Sequence, residues 1–100
     1  MIVVSDTTAI SNLLQIGEIE ILEQLYGKII LPQTVYEELL VLEERGFKIT
    51  TLLDQGTFDV IEITRGKLFF QLSEELDLGE AEAIVLAVEK QADMLLIDEL

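Results

Sequence analysis

Asp6 directly follows a short apolar, β-branched run, Ile2-Val3-Val4, and Asp98 directly follows another apolar run, Met94-Leu95-Leu96-Ile97. Both runs read as buried parallel strands. In sheets of that kind ligands collect outside the carboxyl ends of the strands. If the two strands are neighbours, both carboxylates stand at one edge. Taken singly, each aspartate is at least as well explained as a turn former or helix N-cap.

Helical geometry selects among the glutamates. In the segment after Pro32, Glu38 lies three residues after Val35 and four before Leu42, so it borders the apolar stripe. Glu37 and Glu44 point to the far side. No lysine or arginine lies at helical spacing to neutralise Glu38, and an unpaired charge beside an apolar face is costly. In Asp77-Leu78-Gly79-Glu80-Ala81-Glu82-Ala83-Ile84, Glu80 falls on the shoulder of the packed face. Glu82 points roughly opposite, beside Glu89, where solvent is expected. The plainer account of Glu80 is an acid placed at a helix N-terminus to suit the macrodipole, and helical spacing does not separate the two.

Asp6, Glu38, Glu80 and Asp98 thus converge, in this reading, at one end of a sheet. Like charges held so close repel unless cations sit between them. Such a cluster binds one or two Mg²⁺ or Mn²⁺ ions, which activate a water and stabilise the oxygens of an in-line phosphodiester displacement. The chain has no histidine and no cysteine. Any metal must be held by oxygen, which favours these two ions, and disulfides and thiolate sites are excluded.

The elements that must position these groups alternate along the chain. After the strand at residues 2–4, helices run from about Thr8 to Gly17 and from Ile19 to Gly27. Lys28-Ile29-Ile30-Leu31 reads as a strand, and Pro32 opens a third helix ending near Gly46. A short helix covers Thr50 to Gln55, a strand Phe58 to Ile63, and a helix Leu68 to Leu76. A long helix opens at Asp77 or Gly79 and runs to about Gln91, before the last strand. Strands separated by helices imply an α/β fold, a mostly parallel central sheet with helices on both faces. One hundred residues without repeats or linkers make a single domain, 1–100.

Composition bounds the rest. Half the residues are hydrophobic, enough for a core and too many for disorder. No apolar run approaches the roughly 20 residues of a membrane span, and no leader-like start is visible, so a cytoplasmic setting with no membrane partner is expected. The formal net charge of −14, with six Lys/Arg spread singly, is unlike the basic patch of a nucleic-acid binder. Charge alone favours an acidic protein that leaves nucleic acid untouched. Clustered carboxylates awaiting divalent cations are the sharper account.

The ordered motifs resemble a known family. Val3-Val4-Ser5-Asp6-Thr7-Thr8 and Leu31-Pro32-Gln33-Thr34-Val35-Tyr36-Glu37-Glu38-Leu39 resemble the opening of PIN domains. Gly79-Glu80-Ala81-Glu82-Ala83-Ile84 and Leu95-Leu96-Ile97-Asp98-Glu99 resemble their later acidic motifs, in the prokaryotic branch similar to VapC-type toxins. The resemblance implies a Rossmann-like PIN fold and an Mg²⁺- or Mn²⁺-dependent endoribonuclease. The four family acids map to Asp6, Glu38, Glu80 and Asp98, with Glu82 and Glu99 as alternatives at the last two. Ser5, Thr7 and Ser11 are implied as hydroxyls that orient ligands or water. An RNA substrate, a cognate antitoxin and a homodimer are the implied partners.

One departure stands out. Members usually continue beyond the last strand with a further helix and strand, whereas this sequence stops two residues after Asp98. It reads as a natural short form, a truncated product or a fragment, with its last strand at an open edge able to pair with another subunit. A dehalogenase-type phosphatase is disfavoured because Thr8 occupies the place of its second aspartate, and the acid and lysine pattern of a receiver is not clear. The serious rival is a catalytically degenerate PIN module acting through protein contacts alone. Carboxylates meeting at metal-bridging distance distinguish the two.

Overall fold

The computed structural model describes residues 1–97. Along the chain come β1 (Val3–Ser5), α1 (Thr7–Gln15), α2 (Ile19–Tyr26), β2 (Ile29–Pro32) and α3 (Gln33–Leu40). A 3₁₀ turn (Val41–Arg45) leads to α4 (Ile49–Asp54), β3 (Phe58–Ile61), α5 (Lys67–Leu72), α6 (Leu78–Lys90) and β4 (Met94–Leu96). The four strands form one parallel sheet in the order β3-β2-β1-β4. The expected α/β architecture is therefore present, and the first and last strands are direct neighbours, with Ser5 opposite Leu96.

Strand alternation divides the interior in two. Val3, Ile29, Leu31 and Phe58 turn to the side packed by Ile10, Leu14, Leu22, Val35, Leu39 and Ile49 from α1 to α4. Val4 turns to the other side, with Ile30 and Leu95, against Ala83 and Leu86 of α6. Both faces of the sheet are covered, which is why these strands read as continuous apolar runs and not as alternating ones. α5 joins the second layer through Phe69, which packs with Ala81 and Val85.

Several boundaries differ from the periodicity for local reasons. Pro32 is the last residue of β2 and the N-cap of α3, its φ of −63° suiting both roles. The helix expected to reach Gly46 stops at Leu40 and tightens into the 3₁₀ turn. Gly46 then leaves that turn with φ +92°, a conformation that favours glycine. α4 has no cap of its own, since Lys48 makes no side-chain cap bond. Glu43, from the turn before it, accepts the Thr50 N–H at 2.7 Å instead. That bond holds the Glu43 carboxyl below its ordinary value. β3 ends at Ile61 and α5 at Leu72, both short of the range that hydrophobicity suggests.

Leu39 has no exposed surface and lies in the larger interior layer, on the same helix as Glu38. Leu39→Ala should cost about 2–5 kcal/mol. In a domain whose total stability is of order 5–15 kcal/mol, that loss should appear as a large drop in the urea midpoint followed by circular dichroism.

Candidate acidic site at the sheet edge

Asp6 is the residue after β1, and its backbone N–H donates to Leu96 O at 3.0 Å, locking it beside the end of β4. Its carboxylate is 1% exposed. Oδ1 accepts the Ala9 N–H at 2.9 Å and so caps α1, while Oδ2 is likewise buried. The helix-cap account of Asp6 is thus correct, and it engages one oxygen of the two. Ser5 is buried, and its hydroxyl donates to the Asp6 carbonyl at 3.0 Å, bracing the turn.

Glu38 sits in the second turn of α3, and its Oε1 accepts the Thr7 hydroxyl at 2.6 Å. The partner that sequence left unassigned is therefore a hydroxyl from the start of α1. Gly79 makes room for this contact. A methyl group there would overlap Glu38 Oε1 and stand 3.2 Å from Thr7 Oγ1. Ser11, by contrast, accepts from Gln15 Nε2 along its own helix at 2.9 Å.

Glu80 lies in the first turn of α6, where Asp77 caps the helix by accepting the Glu80 N–H at 2.8 Å. Its carboxyl is held above the ordinary glutamate value. Burial is the largest cause, followed by the charge of Asp77 and a hydrogen bond shared with it, and then by the charges of Asp6 and Glu38. Asp6 from the β1–α1 junction and Glu38 from α3 thus both act on Glu80 at the start of α6. Asp98 and Glu99 lie outside the described residues.

The assignment of Glu82 to solvent is overturned. Glu82 is 4% exposed and pairs with Arg65, 3.0 Å from Oε2 to Nη2. It also accepts the Thr34 N–H through Oε1 at 3.3 Å. The helical-face argument failed because α6 buries Gly79, Ala81, Glu82, Ala83, Val85 and Leu86, which cover more than half of its circumference. A helix packed over so wide an arc leaves only a narrow solvent face from which to orient it. Sequence reasoning also passed over Arg65, which lies between the expected strand and helix, and gave Gly79 no contact of its own. A glycine one residue before a site acid was the available signal for a close approach.

All the donors at this edge are carboxylate and hydroxyl oxygens, the set that suits Mg²⁺ or Mn²⁺. Burial and the neighbouring negative charges both disfavour ionised Glu80, a cost that a divalent cation offsets. Among the described residues, however, no three acidic side chains are drawn close enough to hold one ion. Thr7 keeps Glu38, and Asp77 keeps Glu80, each in its own hydrogen bond. On the criterion of bridging distance, the described carboxylates do not by themselves carry the enzymatic reading.

A carboxyl held above its ordinary value stabilises the fold in full below that value, about 4.5 for glutamate, and the contribution is lost as pH rises through the shifted one. In divalent-free buffer, wild-type protein should therefore lose ground to Glu80→Gln as pH climbs from about 4.5 toward neutrality. Paired thermal melts across that window check it, and a difference independent of pH contradicts it.

No curated protein and no solved structure matches the chain. A family model described as PIN domain matches residues 2–100. PIN domains are in general nucleases, that is, hydrolases of phosphodiester bonds. The match spans Asp6, Asp98 and the helices that carry Glu38 and Glu80, and the chain belongs to the PIN-domain family.

Proposed function

We propose that this chain is a metal-dependent endoribonuclease that hydrolyses RNA phosphodiesters at the edge formed by Asp6, Glu38 and Glu80. Asp98 is proposed to complete the set, with Glu99 as the alternative there. The observation that carries the reading is the placement of Glu38 against Thr7, the neighbour of Asp6, and against Gly79, the neighbour of Glu80, in a PIN-domain chain with a parallel sheet. A bound Mg²⁺ or Mn²⁺ would supply charge for the phosphate oxygens and acidify a water. Asp6 is fixed by its bonds to the backbone of α1 and of β4 and would serve as the rigid ligand. Glu38 is exposed and Glu80 half-buried, so both have room to turn inward once a cation offsets their repulsion. Ser5 and Thr7 would hold the backbone of Asp6 and the carboxylate of Glu38 in place. Ser11, bonded to Gln15, has weaker support in such a role.

In this reading the protein is the cytoplasmic toxin of a toxin–antitoxin pair, and a basic antitoxin segment matches the net charge of −14. Homodimerisation is supported by the exposed Ile16, Leu25 and Ile97. It is supported too by a groove of about 360 Å³ between α1 and the edge strand β4, lined by Leu13, Leu22 and Leu95. Among the described residues no helix is long and apolar enough to cross a membrane. The wide spacing of the described carboxylates favours a second reading, a degenerate PIN module that acts through protein contacts alone.

Cleavage of RNA in the presence of Mg²⁺ or Mn²⁺ should fall by about 100-fold or more in Asp6→Asn, the scale on which removal of one electrostatic stabiliser acts. Equal activity in the two proteins sinks the assignment, and cleavage by neither supports the degenerate module. Gly79→Ala provides a separate check. Helix propensity favours alanine by at most about 1 kcal/mol and the overlap with Glu38 opposes it, so the variant should stay folded, as circular dichroism checks. Its methyl group displaces Glu38, so titration calorimetry with Mn²⁺ should show weaker binding.

A further inference from the structure

The ion pair between buried Glu82 and half-exposed Arg65 lies outside the site as proposed, yet it joins the two helices that bear the site glutamates. Glu82 Oε2 accepts from Arg65 Nε at 3.0 Å, and Arg65 Nη2 lies 3.0 Å from the same oxygen. The same guanidinium donates from Nη2 to Thr34 Oγ1 at 3.3 Å and lies over the Phe69 ring, 4.6 Å from its centre. Glu82 Oε1 closes the network on the Thr34 N–H at the start of α3. Arg65 follows β3, so one cation links β3, α3, α5 and α6 at the carboxyl end of the sheet.

The register of the contacts gives this network its consequence. Gly79 on α6 lies against Glu38 on α3. Three residues further along α6, Glu82 reaches Thr34, four residues back along α3. Spacings of three and four keep each pair on one helical face. The two helices are therefore joined at two rungs about one turn apart, running in opposite directions. The Gly79 rung sets how closely they approach, but a glycine offers nothing to resist sliding. The Glu82 rung is directional, because a planar guanidinium, a carboxylate and a backbone N–H fix both distance and angle. A slip of α6 by a single residue moves its side chains by about 1.5 Å along the axis and rotates them by roughly 100°. Such a slip carries Glu80 away from Asp6 and Glu38.

We infer that Glu82 is a positioning residue, whose bonds to Arg65 and Thr34 set the register of α6 on α3 and so hold Glu80 and Glu38 toward Asp6. The inference rests on the proposal that these three acids bind a divalent cation. It removes Glu82 from the candidate ligands, since both of its oxygens are already engaged.

The test is Mn²⁺ binding to the full chain, followed by calorimetry and by the electron paramagnetic resonance signal of free Mn²⁺. Wild type is compared with Glu82→Gln, Arg65→Lys and Asp6→Asn. Arg65 is about half exposed, so its lysine variant provides a folded protein even where Glu82→Gln melts early. Folded Arg65→Lys and Glu82→Gln are expected to bind Mn²⁺ about 10-fold more weakly, the scale of lost outer support at a metal centre. In the cleavage assay kcat should fall while KM for RNA holds. Unchanged Mn²⁺ affinity in the folded variants, with affinity lost in Asp6→Asn, overturns the positioning role and leaves the metal site standing. A wild-type chain that takes up no Mn²⁺ overturns the metal reading, and this inference with it.

Discussion

β1 is hydrogen-bonded on both sides, and the site depends on that placement. Three residues with no exposed surface, Val3, Val4 and Ser5, form the strand, with β2 on one flank and β4 on the other. A strand so enclosed cannot shift register without moving both neighbours and both apolar layers. Asp6, as the next residue, inherits that rigidity and adds to it through its bonds to Leu96 and Ala9. The other carboxylates are brought to this fixed point by helices. α3 departs directly from β2, and α6 lies across the opposite face of the sheet, so each arrives at the same carboxyl edge.

Two kinds of electrostatics operate within this small region. Burial first, and then the negative charges of Asp77, Asp6 and Glu38, raise the proton affinity of Glu80. Glu82, two residues away, is buried deeper but paired with Arg65 and Thr34. Buried ion pairs add little net stability, because desolvation offsets much of their attraction, whereas loss of one partner is severe. Their contribution is orientation. The fold thus satisfies the buried Glu82 within the protein and leaves Glu38 and Glu80 at the rim, where they are open to a counter-ion.

The fold was legible because the apolar runs are short, β-branched and regularly spaced between helical segments, as at Ile2-Val3-Val4 and Lys28-Ile29-Ile30-Leu31. Adjacency of the first and last strands was posed as a condition and is met. Asp6 was legible for the same reason, since a residue at a strand end needs only the strand to be placed. Glutamates on helices were harder. α3 has a clear outer side, and Glu38 was found on its border, but its partner Thr7 is 31 residues away and no periodicity points to it. α6 is buried on several sides, so the wheel misplaced Glu82. Arg65 and Gly79 matter through contacts between elements, which composition and spacing do not encode.

The pairing of β1 with β4 also sets an order of events. Asp93 accepts the Ile2 N–H across a separation of 91 residues, and Asp93 and Met94 in turn donate to the Ile2 carbonyl. Contacts of such long range form late, because closing so large a loop costs entropy before any contact repays it. During synthesis the chain emerges from its beginning, and domains of this size fold as units. β1 therefore waits, with one flank open, until almost the whole described chain has been made. Until β4 has been made, a nascent chain lacks the Leu96 carbonyl that accepts the Asp6 N–H, so this hold on Asp6 is missing.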